Sequence, residues 1–253
     1  LLSPLVSAQE TKLLASDGDA GDEFGISVAI SGNTAIVGAP YDEDNGSSSG
    51  SAYLFDLTTG AQLAKLLPSD GAADDQFGDS VAISGNTAIV GARYDDDFGS
   101  ASGSAYLFDI TTGAQLAKLL PGDGVADDQF GNSVAISGNT AIVGAQYNDD
   151  LGSYSGSAYL FDITTGAQIA KLLPSDGATD DQFGNSVAIV GNTAIIGARN
   201  NYANGIRSGS AYLFDIASGA QIAKLLPSDG ANYDDFGSSV AIRGNTAIVG
   251  ARY

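Results

Sequence analysis

The residues best suited to chemistry are aspartates in two short loops. Asp42 and Asp44 lie in the segment Y-D-E-D-N-G, and Asp95 and Asp97 lie in the corresponding segment Y-D-D-D-F-G. Asp at alternate positions followed by Gly is typical of the start of a calcium loop, because Ca²⁺ takes about 6 to 8 oxygen ligands. The later bidentate acid of an EF-hand loop is missing. Two interpretations stay open: a Ca²⁺ site on these four aspartates, and a solvated acidic surface adapted to salt.

The composition restricts the chemistry further. The 253 residues include 30 Asp and Glu against 10 Lys and Arg, with no His and no Cys, for a net charge of −20. Such a surface repels nucleic acid and favours cations or basic partners. Without imidazole or thiol, the remaining enzymatic alternative is a carboxylate pair of the kind that glycosidases use. Because a catalytic site needs one asymmetric group of residues and these acids recur in copies, we expect a protein that is not an enzyme.

The elements that must position these loops follow from a repeat. The phrase F-G-x-S-V-A-I-x-G-N-T-A-I-[VI]-G-A returns every 53 residues, which indicates an array of one structural unit. We therefore treat residues 1–253 as a single repeat domain. The copies begin at Phe24, Phe77, Phe130, Phe183 and Phe236.

Each copy predicts four antiparallel strands. In the first copy, S-V-A-I-S alternates with period two, and Gly32-Asn33 suits a type II′ hairpin, which needs Gly at its first central position. The phrase T-A-I-V-G-A is apolar on both faces and predicts a buried strand. G-S-A-Y-L-F-D and A-Q-L-A-K-L-L complete the unit, joined by a turn with Gly60 in the left-handed conformation. An all-β chain of four-stranded, 53-residue units predicts a β-propeller.

The two ends of the chain leave the number of blades open. Residues 1–23 align with the last strand or strands of a blade, and residues 236–253 align with the first two. If these ends meet, they close a ring of five blades; otherwise the chain is part of a larger propeller, and a β-solenoid or open array is a third alternative. The start L-L-S-P-L-V-S-A also resembles the end of a secretory signal, so we expect an extracellular or cell-surface location. No apolar run reaches the roughly 20 residues of a membrane helix, so we expect no membrane insertion.

The repeated phrases of the chain resemble those of a known family. Phe24-Gly25, followed by Gly38-Ala39-Pro40 and then G-S-A-Y-L-F, is similar to the FG-GAP repeat, the blade of integrin α-chain propellers and of many bacterial surface proteins. The integrin-type repeat carries an Asp-rich calcium loop between its first and second strands. Here that junction is only S-G-N-T, so those ligands have no counterpart and the chain resembles a short-loop bacterial variety. The resemblance implies a β-propeller whose blades are FG-GAP repeats.

Several repeated residues have structural interpretations. Lys65 and its equivalents lie on the predicted outer strand, where a lysine discourages sheet-to-sheet aggregation. Tyr41, Tyr94 and Tyr147 stand at the mouths of the acidic loops, where they either stack on a sugar or peptide or pack on the blade edge. The first Phe of each copy is expected to wedge between neighbouring sheets. The second-strand glycines that should allow close backbone approach are Gly38, Gly91, Gly144, Gly197 and Gly250.

The charge is expected to concentrate on one face. In a propeller the loops between strands two and three lie beside the loops between blades, and together these segments hold 24 of the 30 acidic residues. We therefore expect an extracellular adhesion, recognition or surface-structural protein that binds a protein or glycan on an acidic face, with Ca²⁺ as a candidate ligand. The alternatives are a carboxylate-based enzyme and a piece of a larger array with a structural role. Because the copies are nearly identical, self-association or blade exchange is a further expectation.

Overall fold

The computed structural model describes residues 10–252, and in this range the chain forms strands and no helix. The strands fall into five groups of the predicted period. They are β1 (Val28–Ser31), β2 (Thr34–Ala39), β3 (Ser51–Asp56) and β4 (Gln62–Leu66) in blade 1; β5 (Ser80–Ser84), β6 (Thr87–Ala92), β7 (Ser104–Asp109) and β8 (Gln115–Leu119) in blade 2; β9 (Phe130–Ser137), β10 (Thr140–Ala145), β11 (Ser157–Asp162) and β12 (Gln168–Leu172) in blade 3; β13 (Phe183–Val190), β14 (Thr193–Ala198), β15 (Ser210–Asp215) and β16 (Gln221–Leu225) in blade 4; and β17 (Ser239–Arg243) and β18 (Thr246–Gly250) in blade 5. Over the described range, no helix is long and apolar enough to cross a membrane.

Each of blades 1 to 4 is an antiparallel sheet whose strands follow chain order. Ser31 pairs with Thr34 across the first hairpin, and Gly32 has the positive φ of 57° that the sequence predicts for it. Gly60 also takes its predicted left-handed conformation, with φ of 73°, and its amide donates to the carbonyl of Asp56 at 2.7 Å. The predictions of an all-β fold and of four strands per copy are confirmed.

Successive blades pack face to face around their first strands, with β1, β5, β9, β13 and β17 lying in order against one another. Ile36 and Leu54 on one face of blade 1 share a core with Phe77 and Val90 of blade 2. The Phe77 ring is fully buried and meets the Tyr106 ring edge-on, at 5.5 Å between centroids. Phe77, Phe130 and Phe183 are all fully buried between two sheets, as the sequence predicts, whereas Phe24 and Phe236 are half-buried.

The repeated glycines bring the backbones of neighbouring blades together. Gly91 lies in β6, and a methyl group placed on it would overlap the carbonyl oxygen of Gly131 in blade 3. Gly38, Gly144 and Gly197 face the next blade in the same way. The two glycine-containing phrases of the repeat therefore form the two sides of one interblade contact, which no side chain can enter.

The sheets do not close into a ring over the described residues. Val28 and Ile30 of β1 are 63 % and 65 % exposed, whereas Val81 and Ile83, their counterparts in blade 2, are 6 % and 8 % exposed because blade 1 covers them. Ile248 of blade 5 is likewise exposed. Residues 10–16 lie against blade 1 where the fourth strand of a preceding blade would lie. The Ser16 amide donates to Gln62 Oε1 at 2.9 Å, as the Ser69 amide after β4 donates to Gln115 Oε1 of blade 2. The signal-like start, in residues 1–9, lies outside the described residues.

Candidate functional site

Two kinds of loop meet on one side of every complete blade. The amides of Asp74 and Gln76, in the loop between blades 1 and 2, donate to the carbonyls of Ser47 and Ser48 at 2.7 and 3.0 Å. The two hairpins meet on the other side, where the Leu57 amide donates to the Asn33 carbonyl at 2.9 Å. We call the first side the loop rim. It comprises residues 40–50, 93–103, 146–156 and 199–209, together with the interblade segments 67–76, 120–129, 173–182 and 226–235.

The predicted metal ligands in blade 1 surround a lysine ammonium. Lys65 Nζ lies 2.8 Å from Asp17 Oδ2 and 3.1 Å from Asp42 Oδ2, and it also contacts the Asp44 carboxylate. The Tyr53 ring lies beneath the same ammonium, 5.2 Å from its centroid. Burial alone would lower the pKa of Lys65, but hydrogen bonds to Asp17 and Asp44 outweigh it and raise that pKa, so the ammonium keeps its proton.

The same cluster recurs in the other complete blades, with fewer carboxylates in later copies. Lys118 contacts Asp70, Asp95 and Asp97. Lys171 contacts Asp123 and Asp150, and Lys224 contacts Asp176 at 2.6 Å. Asn148 and Asn201 stand where copies 1 and 2 have Asp42 and Asp95, and each accepts from the lysine through its amide oxygen.

This geometry revises two interpretations from the sequence. The lysines do not extend into solvent to discourage pairing of the outer strand with another sheet. The Lys65 side chain is only 16 % exposed and lies among carboxylates. Asp42 and Asp44 come together, as do Asp95 and Asp97, but the ammonium already lies between them. No group of three or more acidic side chains within residues 10–252 is placed to hold a metal ion. Ca²⁺ binding at these four aspartates would require displacement of the lysine, which favours the other interpretation, a solvated acidic surface adapted to salt.

We expect Ca²⁺ and NaCl of matched ionic strength to raise the unfolding temperature equally, because the ammonium neutralises the carboxylates that a metal would use. Thermal unfolding with added Ca²⁺, with chelator and with matched NaCl measures this. A specific site at 100 times its Kd would add about 2.7 kcal/mol of stability. An additional stabilisation of that size from Ca²⁺ alone would contradict the expectation.

A second set of carboxylates is buried beneath the rim. Asp75 is 5 % exposed and accepts from the Ala72 amide at 2.7 Å. Burial raises the pKa of Asp75 to about 6, and the neighbouring charges of Asp95 and Asp96 add to this while Lys118 opposes it. The sequence does not reveal this burial, because nothing in a D-D-Q phrase separates a buried aspartate from an exposed one.

In copies 3 and 4 an asparagine lies next to the buried aspartate that corresponds to Asp75. Asn148 Nδ2 donates to the buried carboxylate of Asp128 at 3.2 Å, and Asn201 Nδ2 donates to Asp181 at 2.8 Å. An amide donor therefore replaces the acid that faces Asp75 in copy 2. Comparison of the copies at this position would have indicated the contact from sequence.

The substitution Asp75→Asn is expected to stabilise the protein near neutral pH. A group whose pKa is raised on folding stabilises most below its unfolded pKa, and that contribution falls as pH rises from about 4 to 6. We expect a gain of about 2 kcal/mol at about pH 7, since roughly two pKa units are relieved, and none near pH 4. Denaturant unfolding of D75N and wild type across this range measures the difference. The exposed neighbour Asp74→Asn is the control, and an equal gain from it would contradict the argument.

The loop rim also contains a cavity of about 800 Å³ at blade 1, lined by Asp19, Asp22, Tyr41, Glu43 and Lys65 among others. Tyr41 thus borders an acidic depression. Elsewhere the predicted rim tyrosines differ in their surroundings. The Tyr94 ring is covered by Arg93, whose guanidinium carbon lies 4.8 Å from the ring centroid, and the Tyr147 ring contacts Tyr154.

The copies differ most along this rim. Eight of the nine positions from 40 to 48 vary among copies 1 to 4, whereas the eight residues S-G-S-A-Y-L-F-D that follow, at 49–56, are identical in all four. The identical segment forms the buried third strand. The third strand is therefore constant, and the differences lie in the loops of the rim.

The fold and the rim together define a propeller-like repeat protein built from four-stranded blades. The FG-GAP repeat model matches residues 8–55, 61–108, 114–161, 167–214 and 220–253. The chain belongs to the FG-GAP repeat family.

Solved structures support the fold. The crystal structure of the computationally designed Ika4 protein is similar to this chain with a TM-score of 0.53 and 20 % sequence identity, covering 82 % of this chain and 99 % of the designed one. At that identity the likeness concerns the fold alone. No curated protein matches the chain in sequence.

Proposed function

We propose that this chain is a non-catalytic recognition or adhesion module that works outside the cell and binds a protein or glycan on its loop rim. The observation that carries the proposal is the contrast between positions 40–48 and 49–56, which are divergent and identical respectively among the copies. A rigid repeated framework with divergent loops on one face is how repeat proteins present a binding surface.

The distribution of charge also supports the loop rim as the binding surface. The rim segments and their counterpart at residues 17–23 carry 24 of the 30 acidic residues, and the lysines of the repeated clusters offset only part of this charge. A rim of this kind disfavours nucleic acid and other polyanions, and it favours neutral or basic partners.

The competing enzymatic function finds less support. Asp42 and Asp95 each bond to a lysine and to a tyrosine hydroxyl, at 2.7 Å for the tyrosine in both copies. Burial alone would raise the pKa of Asp42, but hydrogen bonds from Tyr53 and Lys65 outweigh it and lower that pKa, so this carboxylate is a poor acid or base. The similar clusters in four blades also lack the asymmetry of a catalytic centre.

A loop exchange tests the proposal without altering the blades. Residues 146–154 are replaced by the sequence of residues 93–101, which the same framework already carries in copy 2. The control is T164A/T165S on the opposite face, the pair that copy 4 has at residues 217–218. Binding is measured on an array of extracellular glycans and of basic and acidic peptides.

We expect wild type to bind at least one probe, the loop exchange to weaken that binding at least tenfold, and the control to leave it unchanged. Absence of binding to every probe, or equal loss in the control, would overturn a rim-based function. Release of new reducing ends from a bound glycan would overturn the non-catalytic assignment.

A further inference from the structure

One pocket on the loop rim has a lining that no other copy repeats. It has a volume of about 380 Å³ and is lined by Asp127, Gln129, Tyr147, Tyr154 and Gln182. The first two residues come from the segment before blade 3, the tyrosines from the β10–β11 loop, and the last from the segment that leads into blade 4. The volume falls within the range of about 300 to 1,000 Å³ that is typical of small-molecule sites.

Two tyrosine rings form one wall of this pocket. Their centroids are 5.0 Å apart and their planes are inclined by 58°. Tyr154 is 45 % exposed, and the corresponding residues in the other copies are Ser48, Ala101 and Arg207. A partly exposed aromatic pair at a position that is otherwise small or charged offers two rigid ring faces, inclined to one another, to a ligand.

In copy 2 the corresponding tyrosine is covered by an arginine. The Arg93 guanidinium lies over the Tyr94 ring. Copy 3 has Gln146 in place of that arginine, and the Gln146 amide donates to Gln129 Oε1 at 3.1 Å. The Tyr147 ring is half-buried and keeps its place beside the cavity.

The polar groups of the pocket are fixed before any ligand arrives. Gln182 Oε1 accepts from Arg199 Nε at 2.7 Å, as Gln129 accepts from Gln146. The Tyr154 amide donates to Asp149 Oδ1 at 2.7 Å, and the Tyr154 carbonyl accepts from the Gln182 amide at 3.0 Å. A pocket that is already ordered loses little entropy when it binds.

We propose that this pocket binds a neutral saccharide unit, an inference that rests on the proposed binding function of the rim. The C–H face of a pyranose ring carries partial positive charge and suits the negative face of an aromatic ring. Its hydroxyls pair with carboxylate and amide groups, here Asp127 and the two glutamines. The rim acids disfavour an anionic sugar, and the Arg199 guanidinium beside Gln182 disfavours a basic ligand.

The test uses neutral hexasaccharides of β-1,4-linked glucose, β-1,3-linked glucose, α-1,4-linked glucose and β-1,4-linked N-acetylglucosamine. A uronate hexasaccharide and hexa-arginine are the charged probes. Binding is followed by calorimetry and by tyrosine fluorescence, which no Trp obscures. The variants are Y154A and Y147N, whose new residues occur at the matching positions of copies 2 and 4, so folding should be retained. Y94N is the matched control outside the pocket.

We expect a neutral hexasaccharide to bind, with affinity reduced at least tenfold in Y154A and in Y147N and less than twofold in Y94N. Equal loss in Y94N, or binding of the uronate alone, overturns the inference. If hexa-arginine binds the rim and no neutral saccharide does, the saccharide inference fails while the binding function stands. If none of these probes and none of the array probes binds, both fail.

Discussion

The substitution Gly91→Ala is expected to destabilise the protein by more than about 3 kcal/mol. The added methyl would overlap the carbonyl oxygen of Gly131, which belongs to the backbone of the next blade and cannot rotate away. Blades 2 and 3 would have to separate at their central contact. The midpoint and slope of denaturant unfolding measure the loss.

Gly85→Ala is the matched control for this substitution. Gly85 has a φ of 57°, and nothing lies within 4 Å of a methyl group placed there. Its cost is therefore confined to backbone strain of about 1 to 2 kcal/mol. If G85A and G91A were equally destabilising, backbone conformation rather than interblade contact would explain the repeated glycines.

The substitution Lys118→Met is expected to cost about 3 kcal/mol near neutral pH. Methionine retains most of the side-chain volume but leaves the Asp95 carboxylate, whose side chain is 6 % exposed, without its ammonium. Asp70 and Asp97 lose the same partner. Burial alone would raise the pKa of Asp70, and Lys118 outweighs it and lowers that pKa, so this stabilisation is present above about pH 4 and declines as pH falls.

The same substitution in copy 4 separates charge pairing from packing. Lys224 has one carboxylate partner, Asp176, which is 48 % exposed, and it lies over the Tyr212 ring at the same 5.2 Å as Lys118 over Tyr106. K224M is therefore expected to cost about 1 kcal/mol or less. Denaturant unfolding at several pH values compares the two variants. Equal losses, or a loss in K118M that does not shrink in acid, would refute the ion-pair explanation.

Most of the blade could be predicted from the sequence because its determinants are local. Period-two alternation, Gly32 at the first hairpin and Gly60 at the second each depend on neighbours along the chain, and each appears in the structure as expected. The burial of Phe77 between sheets also followed, since an aromatic that begins every copy must lie at a repeated contact.

The site was less predictable because its contacts join residues far apart in sequence. Lys65 and Asp17 are 48 residues apart. They meet because β4, which carries Lys65, ends at the loop rim beside the segment that contains Asp17. An alternating pattern of aspartates is the same whether it surrounds Ca²⁺ or an ammonium. Tyr154 gives no signal in the repeat pattern, because that pattern consists of what the copies share and this residue differs from its counterpart in every other copy.

The blades stack through similar interfaces, and this determines which strands open first. The main contacts over residues 10–252 join each blade to its immediate neighbours, so the free energy of opening is a sum of nearest-neighbour terms. Blade 3 has a full blade on either side, whereas β1 and β18 each expose an apolar face. Amide hydrogens in β10 and β11 should then exchange more slowly than those in β1 and β18. The two-tyrosine pocket lies on the loop between β10 and β11, so we expect local opening at β1 and β18 to disturb its geometry little.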